Sequence, residues 1–535
     1  MLPLHALSLL PGVVALVVNV PTFPGKNAPV ISRSLVSLSI EQDRWPEWVG
    51  TSSKNTFFLN TLGNLERRTG AVPGIRIGAN SEDKTNFNPN VPYVETIFPA
   101  PTTVFPYPEA RNITVGNAYY QLAAHLPKGT HVTWGVNFGS LNITAAVLEA
   151  KAIMNAFSSP RLNGVTLDYL EIGNEADLYA KNGLRPSSFT SSQYVQQWTT
   201  FAANISDAVK LRHTRTKFLV GSFAGSSSAT TGFSPQSIYS KGILDSAPGQ
   251  EIAAFSEHHY SGSFCTGSGG LLQDLMTKST IRSNITIYTA DVVATREKGL
   301  DYILGETNSY ACHGAPGESV SVSTTLSLTL YPLGVSNVAG SALWALDYAL
   351  FAPQIGISQV FFHVGVGFKY SLIQPVALNR SILDGSPLPS PSPPHVQPSY
   401  YAGIIAAELR GSKEDARISE IVIDNPRIAG YAAFEGGCLV RALFINSKAF
   451  LRENGDAQNR TSVHLDLAFS GRSPREMSIK RLAIGFADDV AVQNWGGQTF
   501  ATKDGKAAGR EQIEIKSVVQ GVDIQETEAV LLRFF

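Results

Sequence analysis

Two glutamates stand at equivalent points of two short apolar runs. Glu175 closes "LDYLEIGNE" and Glu306 closes "DYILGE", each just past a glycine. A carboxylate at the C-terminal end of a strand sits where α/β sheets carry out chemistry. Two such groups across one cleft are the minimum equipment for glycoside hydrolysis. One carboxyl protonates the leaving oxygen, and the other, ionised, attacks the anomeric carbon. Taken alone, the first stretch reads equally well as a helix start, with Asn174 as cap and Glu175 and Asp177 in the first turn. Glu306 shifts the balance toward chemistry at both.

Short apolar strands recur with helical stretches between them, the pattern of alternating β and α units. Strands are expected at residues 34–41, 74–81, 131–138, 167–175, 217–223, 251–260, 301–308 and at "SALWALD", 341–347. The fold class is therefore α/β, a (β/α)8 TIM barrel, with Glu175 and Glu306 ending strands four and seven. The Pro/Ser-rich "GSPLPSPSPPHVQP", 385–398, reads as an extended surface loop. "SYYAGIIAAELRG", 399–411, reads as a helix closing the barrel, stopped by Gly411. Beyond it the pattern turns to alternating strands separated by turn residues. The expected domains are a catalytic barrel over 21–411 and a C-terminal antiparallel β-sandwich over 412–535.

The chain has 535 residues, beyond one ordinary core, with 43% hydrophobic and 16% charged residues. A net charge of -1 and the lack of a Lys/Arg run disfavour nucleic acid and anionic membranes as partners. The apolar start "MLPLHALSLLPGVVALVVNVP" is short for a membrane span and suits a signal-peptide core over residues 1–20. A buried N-terminal strand is the alternative. Six Asn-x-Ser/Thr sequons, at Asn112, Asn142, Asn204, Asn284, Asn379 and Asn459, favour secretion as a glycoprotein. The three cysteines match neither a zinc site nor a disulfide framework by spacing. No metal site and no cofactor are expected, and a monomer is expected.

The chain resembles the β-glucuronidase and heparanase family, glycoside hydrolase family 79 of clan A, and its fungal secreted members in particular. "IRIGANSEDKT", "EIGNEADLY", "SEHHYSG", "GETNSYACHGAPG", "GSALWALDYALFAPQIG" and "PSYYAGIIAAEL" carry the likeness across nearly the whole chain. The resemblance implies Glu175 as acid/base and Glu306 as nucleophile. Asn174 would hold the sugar 2-hydroxyl, and Tyr260 would orient the nucleophile. Arg76 would bond toward Glu306, and Glu41 would hold sugar hydroxyls. His258 and His259 would line the pocket, one of them pointing away if the strand alternates. Tyr310 and the amides near His313 and Gly314 would meet the uronate carboxylate. Loops after strands six and seven would bring Cys265 and Cys312 together as a disulfide.

One departure from the family is large. "ESVSVSTTLSLTLYPL", 318–333, interrupts the passage from "GAPG" to "VSNVAG". Its start can encode a 5′ splice pattern and its end CTAG, so a retained intron is expected, with a genuine loop insertion as the alternative. Ala176 also stands where relatives often have Pro. The expected activity is a retaining exo-β-glucuronidase acting on glucuronosyl or 4-O-methyl-glucuronosyl termini of glycans. The alternatives are a heparanase-like endo enzyme, another clan A β-glycosidase of β-glucosidase or xylanase type, and a non-catalytic sugar-binding protein.

Overall fold

The computed structural model describes residues 15–267, 269–316, 334–456 and 460–535. The stretch 318–333 and Asn459 lie outside the described residues, as does most of the expected signal segment. Eight parallel strands close a barrel in sequential order. They are β1 (Val36–Glu41), β2 (Ile75–Gly78), β3 (His131–Val136), β4 (Thr166–Ile172), β5 (Lys217–Phe223), β6 (Ile252–Ser263), β7 (Asp301–Ala311) and β8 (Gln359–Val364). Outward residues of these strands bury against helices. Leu219, Ala254, Ile303 and Phe361 point inward with Tyr169 and fill the N-terminal end of the barrel. Above this apolar floor the inward positions turn polar, so the chemistry sits toward the C-terminal ends.

The eighth strand corrects the expectation at 341–347. "SALWALD" lies inside a helix, Ala339–Phe351, and every residue of that helix is buried. A helix apolar on all sides has no face to set its period, so an apolar run of this length cannot be told from a strand by pattern. The actual β8 is "QVFFHV". The Pro-rich stretch is also more ordered than a plain loop: Pro387–Ser392 pairs with Leu378–Arg380, and His395–Val396 with Ile373–Gln374. Tyr400–Arg410 is helical and ends at Gly411 with φ +69°.

The C-terminal domain is two facing sheets. A seven-stranded sheet runs from Arg417–Glu420 through Glu528–Phe534 to Glu476–Ala483 and its neighbours, and faces a three-stranded sheet. That smaller sheet contains Ala15–Val20, paired in parallel with Ser462–Phe469, which in turn pairs antiparallel with Val522–Gln525. Val18 and Val20 are buried in the core between the sheets with Ile428, Phe444 and Leu532. The expected boundary of a signal segment at residue 20 is thereby corrected. Apolar residues near position 15 end up in the sandwich, and one pair in it is parallel. Arg282 bonds Asp347, Glu420 and Tyr431, tying barrel helices to the sandwich. Among the described residues no helix is long and apolar enough to cross a membrane.

Candidate active site

The two glutamates reach the barrel mouth by different backbone devices. After β4, Gly173 adopts φ +82°, and a Cβ there would stand 2.6 Å from the Tyr179 hydroxyl and 2.7 Å from Phe138 Cβ. The turn continues through Glu175, itself left-handed at φ 52°, whose N–H donates to the Ser222 carbonyl at 2.7 Å. A non-glycine residue held in this region is a strain that surrounding contacts must impose. Asp83 supplies much of that restraint. Its carboxylate accepts from the amides of Phe138, Gly139 and Asn174 and from the Tyr179 hydroxyl, fastening the ends of β3 and β4 to the turn after β2.

On β7 the device is a bulge. Leu304 pairs with Glu257 and Glu306 with His258, leaving Gly305 as an extra residue. Ile303 points into the barrel floor, and strict alternation from it would turn Glu306 outward. The bulge moves the pattern by one, so Glu306 faces inward while the Thr307 hydroxyl meets Tyr348 of the outer helix at 2.9 Å.

Glu306 is held at both oxygens. The Tyr260 hydroxyl donates to Oε1 at 2.7 Å, and Arg76 Nη1 to Oε2 at 2.8 Å. Burial pushes its carboxyl upward, but His363, His258, Arg76 and the Tyr260 bond outweigh it and hold Glu306 well below the usual carboxylate range. Arg76 also binds Glu171 through Nε at 3.1 Å, Ser39 at 2.8 Å and Asn174 Oδ1 at 2.8 Å. His363 lies between Glu41 (3.5 Å) and Glu306 (3.7 Å). Burial opposes its proton, yet Glu306 and Glu41 together raise its pKa. His258 Nδ1 is 3.1 Å from Glu175 Oε1. A carboxylate oxygen of Glu175, a ring nitrogen of His258 and a carboxylate oxygen of Glu306 all lie within 4.8 Å of one another.

The family model for the glycosyl hydrolase family 79 C-terminal beta domain matches residues 430–531. A β-glucuronidase of Aspergillus niger is 29% identical over 503 residues, covering 89% of this chain and 84% of the relative. One of Neurospora crassa is 26% identical over 509 residues, covering 87% and 84%. Over most of its length the chain is similar to these two β-glucuronidases. The barrel-plus-sandwich fold is shared with a 4-O-α-L-rhamnosyl-β-D-glucuronidase from Fusarium oxysporum, at TM-score 0.76, 22% identity and coverage of 97% and 100%. A family 51 α-L-arabinofuranosidase from Bifidobacterium longum has TM-score 0.57, 13% identity and coverage of 96% and 99%.

Glu41, Arg76, Asn174, Glu175, Tyr260 and Glu306 come together in one cluster at the C-terminal ends of the strands. Three expectations are corrected. His259 points away: its Nδ1 meets the Tyr288 hydroxyl at 3.1 Å and its ring stacks on Tyr348, while burial lowers its pKa to about 4. On an alternating strand only His258 and Tyr260 face inward. The Tyr310 ring is wedged against Gly262 and Gly270, where a Cβ would collide with it. The Gly314 amide is already donated to the Tyr310 carbonyl at 3.0 Å, and a Cβ there would press on Ser336 and Lys369. Cys265 and Cys312 are disulfide-bonded with Cα atoms 5.1 Å apart, and Cys438 is free. Glu171, Asp83, His363 and Tyr370 were not anticipated. Glu171 carries a signal in hindsight, because an acidic residue in the middle of an otherwise apolar strand needs a buried partner. His363 was hidden by the misplaced eighth strand.

Proposed function

We propose that the chain is a secreted, monomeric, retaining exo-β-glucuronidase. The observation that carries the mechanism is the approach of Glu175 and Glu306 oxygens to within 4.8 Å of each other. Retaining glycosidases place their carboxyl groups about 5–5.5 Å apart, whereas inverting ones leave room for water at about 6.5–9.5 Å. Glu306, ionised and steadied by Tyr260 and Arg76, attacks the anomeric carbon. Glu175 gives its proton to the leaving oxygen, forming a glycosyl ester on Glu306. Glu175 then takes a proton from water, which attacks the same carbon and frees the sugar with retained configuration. Arg76 accepts no bond and fixes Asn174 by its Oδ1, leaving the amide NH2 to donate to the 2-hydroxyl. Glu41 and His363 hold further hydroxyls.

The glucuronide specificity rests on the two relatives named β-glucuronidase. Tyr370, buried beside Tyr260 with ring centroids 6.0 Å apart, and His363, 3.7 Å from Glu306, are the donors proposed to meet the carboxylate of an anionic sugar. They replace Tyr310 and Gly314 in that role. Secretion is supported by the disulfide and by the exposure of Asn112, Asn142, Asn204 and Asn379. Asn284 is half-buried with its amide nitrogen covered, which does not suit a glycan. A leader compatible with the sandwich ends before Ala15.

The test is an assay of aryl β-glucuronide and aryl β-glucoside on the wild type and Glu306→Gln, with product stereochemistry followed by NMR. Retained configuration, glucuronide preference and a loss of at least about a thousandfold in the variant are expected. Cleavage that survives Glu306→Gln would remove the mechanism, and preferential glucoside cleavage would remove the specificity.

A further inference from the structure

Arg76, which holds Glu306, also lies beside a carboxyl group that the chemistry does not use. Glu82, in the tight turn Ala79–Lys84 that follows β2, is fully buried, and neither of its oxygens receives a hydrogen bond. Arg76 Nη2 is 3.9 Å from its Oε2, too far to donate. The guanidinium is committed elsewhere: to Glu171 through Nε and Nη2, to Asn174 through Nη2, and to Ser39 and Glu306 through Nη1. Three buried carboxyls, Glu82, Glu171 and Glu306, thus surround a single cation. A buried anion with no donor and only a share of one counter-charge costs more than taking up a proton.

We propose that Glu82 is a positioning residue, a neutral carboxylic acid that shares its proton with Glu171 and so leaves the Arg76 guanidinium extended to Glu306. The proton gives Glu82 its missing hydrogen bond and weakens the pull of Glu171 on Arg76. A seat is built for it. Cβ atoms at Gly78 and Gly135 would stand 2.4 and 1.9 Å from Glu82 Oε2, so two glycines are needed to admit the side chain. Burial first, and then the charge of Glu171, push the Glu82 carboxyl well up, with Arg76 opposing and Asp83 adding to the rise. Tyr179 faces the same pocket and is bonded to Asp83. On the other side of Arg76, Glu306 is faced by His363, His258, Tyr260, Tyr370 and Glu175.

The inference rests on Glu306 being the nucleophile, which Glu306→Gln tests separately. In Glu82→Ala, Glu171 loses its proton donor and draws Arg76 inward, away from Glu306. With aryl β-glucuronide, kcat should fall about tenfold or more while KM stays within about threefold. The acidic limb of kcat/KM should move to higher pH, by about half a unit or more, because Glu306 loses part of its cation. Glu82→Gln, whose amide N–H also donates to Glu171, should restore both kcat and the limb. A Gln variant whose acidic limb moves to lower pH would show that Glu82 carries charge and overturn the proposal. So would an Ala variant with the wild-type rate and limb. A readout free of activity comes from Tm against pH. Because a neutral Glu82 keeps in the fold a proton that the unfolded chain gives up above about pH 4.5, the Tm of wild type should fall relative to that of Glu82→Gln as pH rises from 4 to 7, and an offset that stays constant would overturn the proposal even if the Ala variant does not fold.

Discussion

Gly173 and Gly183 share a left-handed backbone, at φ +82° and +76°, but not a neighbourhood. A Cβ at Gly173 meets Tyr179 and Phe138 below 3 Å, and one at Gly183 meets nothing within 4 Å. Gly183→Ala should therefore cost only the backbone strain, about 1 kcal/mol, whereas Gly173→Ala adds overpacking and should cost about 2–4 kcal/mol. Gly173→Ala should also displace Asn174 and Glu175 and depress kcat. Chemical denaturation and kinetics on both variants check this, and equal destabilisation by the two would contradict it. Residue roles were legible from the sequence only where strand position decides them. Glu175 and Glu306 could be singled out because each ends an apolar run just past a glycine. The inward turn of Glu306 could not, since it depends on the extra residue at Gly305, and nothing in "ILGET" distinguishes a bulge from plain alternation. The alternation on β6 was readable, and it separates His258, against Glu175, from His259, against Tyr288.

At the scale of elements, seven strands were readable because each is a short apolar run ending in polar residues. The eighth was lost to a wholly buried helix. The interruption at 318–333 divides the loop that follows β7, and its flanks are joined without it. The Ala315 carbonyl accepts from the amides of Val335 and Ser336 at 3.3 and 3.0 Å, and the Ala315 amide donates to Ser336 Oγ at 2.9 Å. Pro316, Gly317 and Gly334 are enough to close such a turn. A chain lacking 318–333 should therefore fold with the same Cys265–Cys312 bridge and a Tm no lower than that of the full chain. Glucuronidase turnover should be equal or higher. Sequencing of cDNA across Gly317–Gly334 should give a transcript without these codons. A deletion variant that fails to fold would make the segment a true part of the loop.

Over the whole molecule, the sandwich and the barrel were foreseen from the change of pattern near Ile418, but the return of Ala15–Val20 to the sandwich was not. A run of apolar residues at the start of a chain looks the same whether it is a leader or a core strand, because local sequence does not record a partner more than four hundred residues away. Buried carboxyls spread over the barrel set a dependence on pH that belongs to no single site. Burial raises Glu149 to about 8. Asp43 is raised to about 7 by burial and Glu41, and Asp177 to about 7 by burial and Glu175. For these groups the folded state binds the proton more tightly than the unfolded one. Their contribution is complete below the unfolded values near 4 and is lost as pH rises through 7 to 8. Glu109 behaves oppositely. Burial is outweighed by His313 and Lys84, which bring it down to about 2, so its contribution is complete above about 4.5 and is lost as pH falls toward 2. Glu306, also held low, acts in the same direction as Glu109. The two sets overlap between about pH 4 and 5, where the chain should be most stable. Scanning calorimetry of the full chain should show Tm falling steadily from pH 5 to 8. Glu149→Gln should flatten that slope, since Glu149 alone is worth on the order of a few kcal/mol across the interval. A Tm that rises between pH 5 and 8 would mean that these acids are not held neutral by burial.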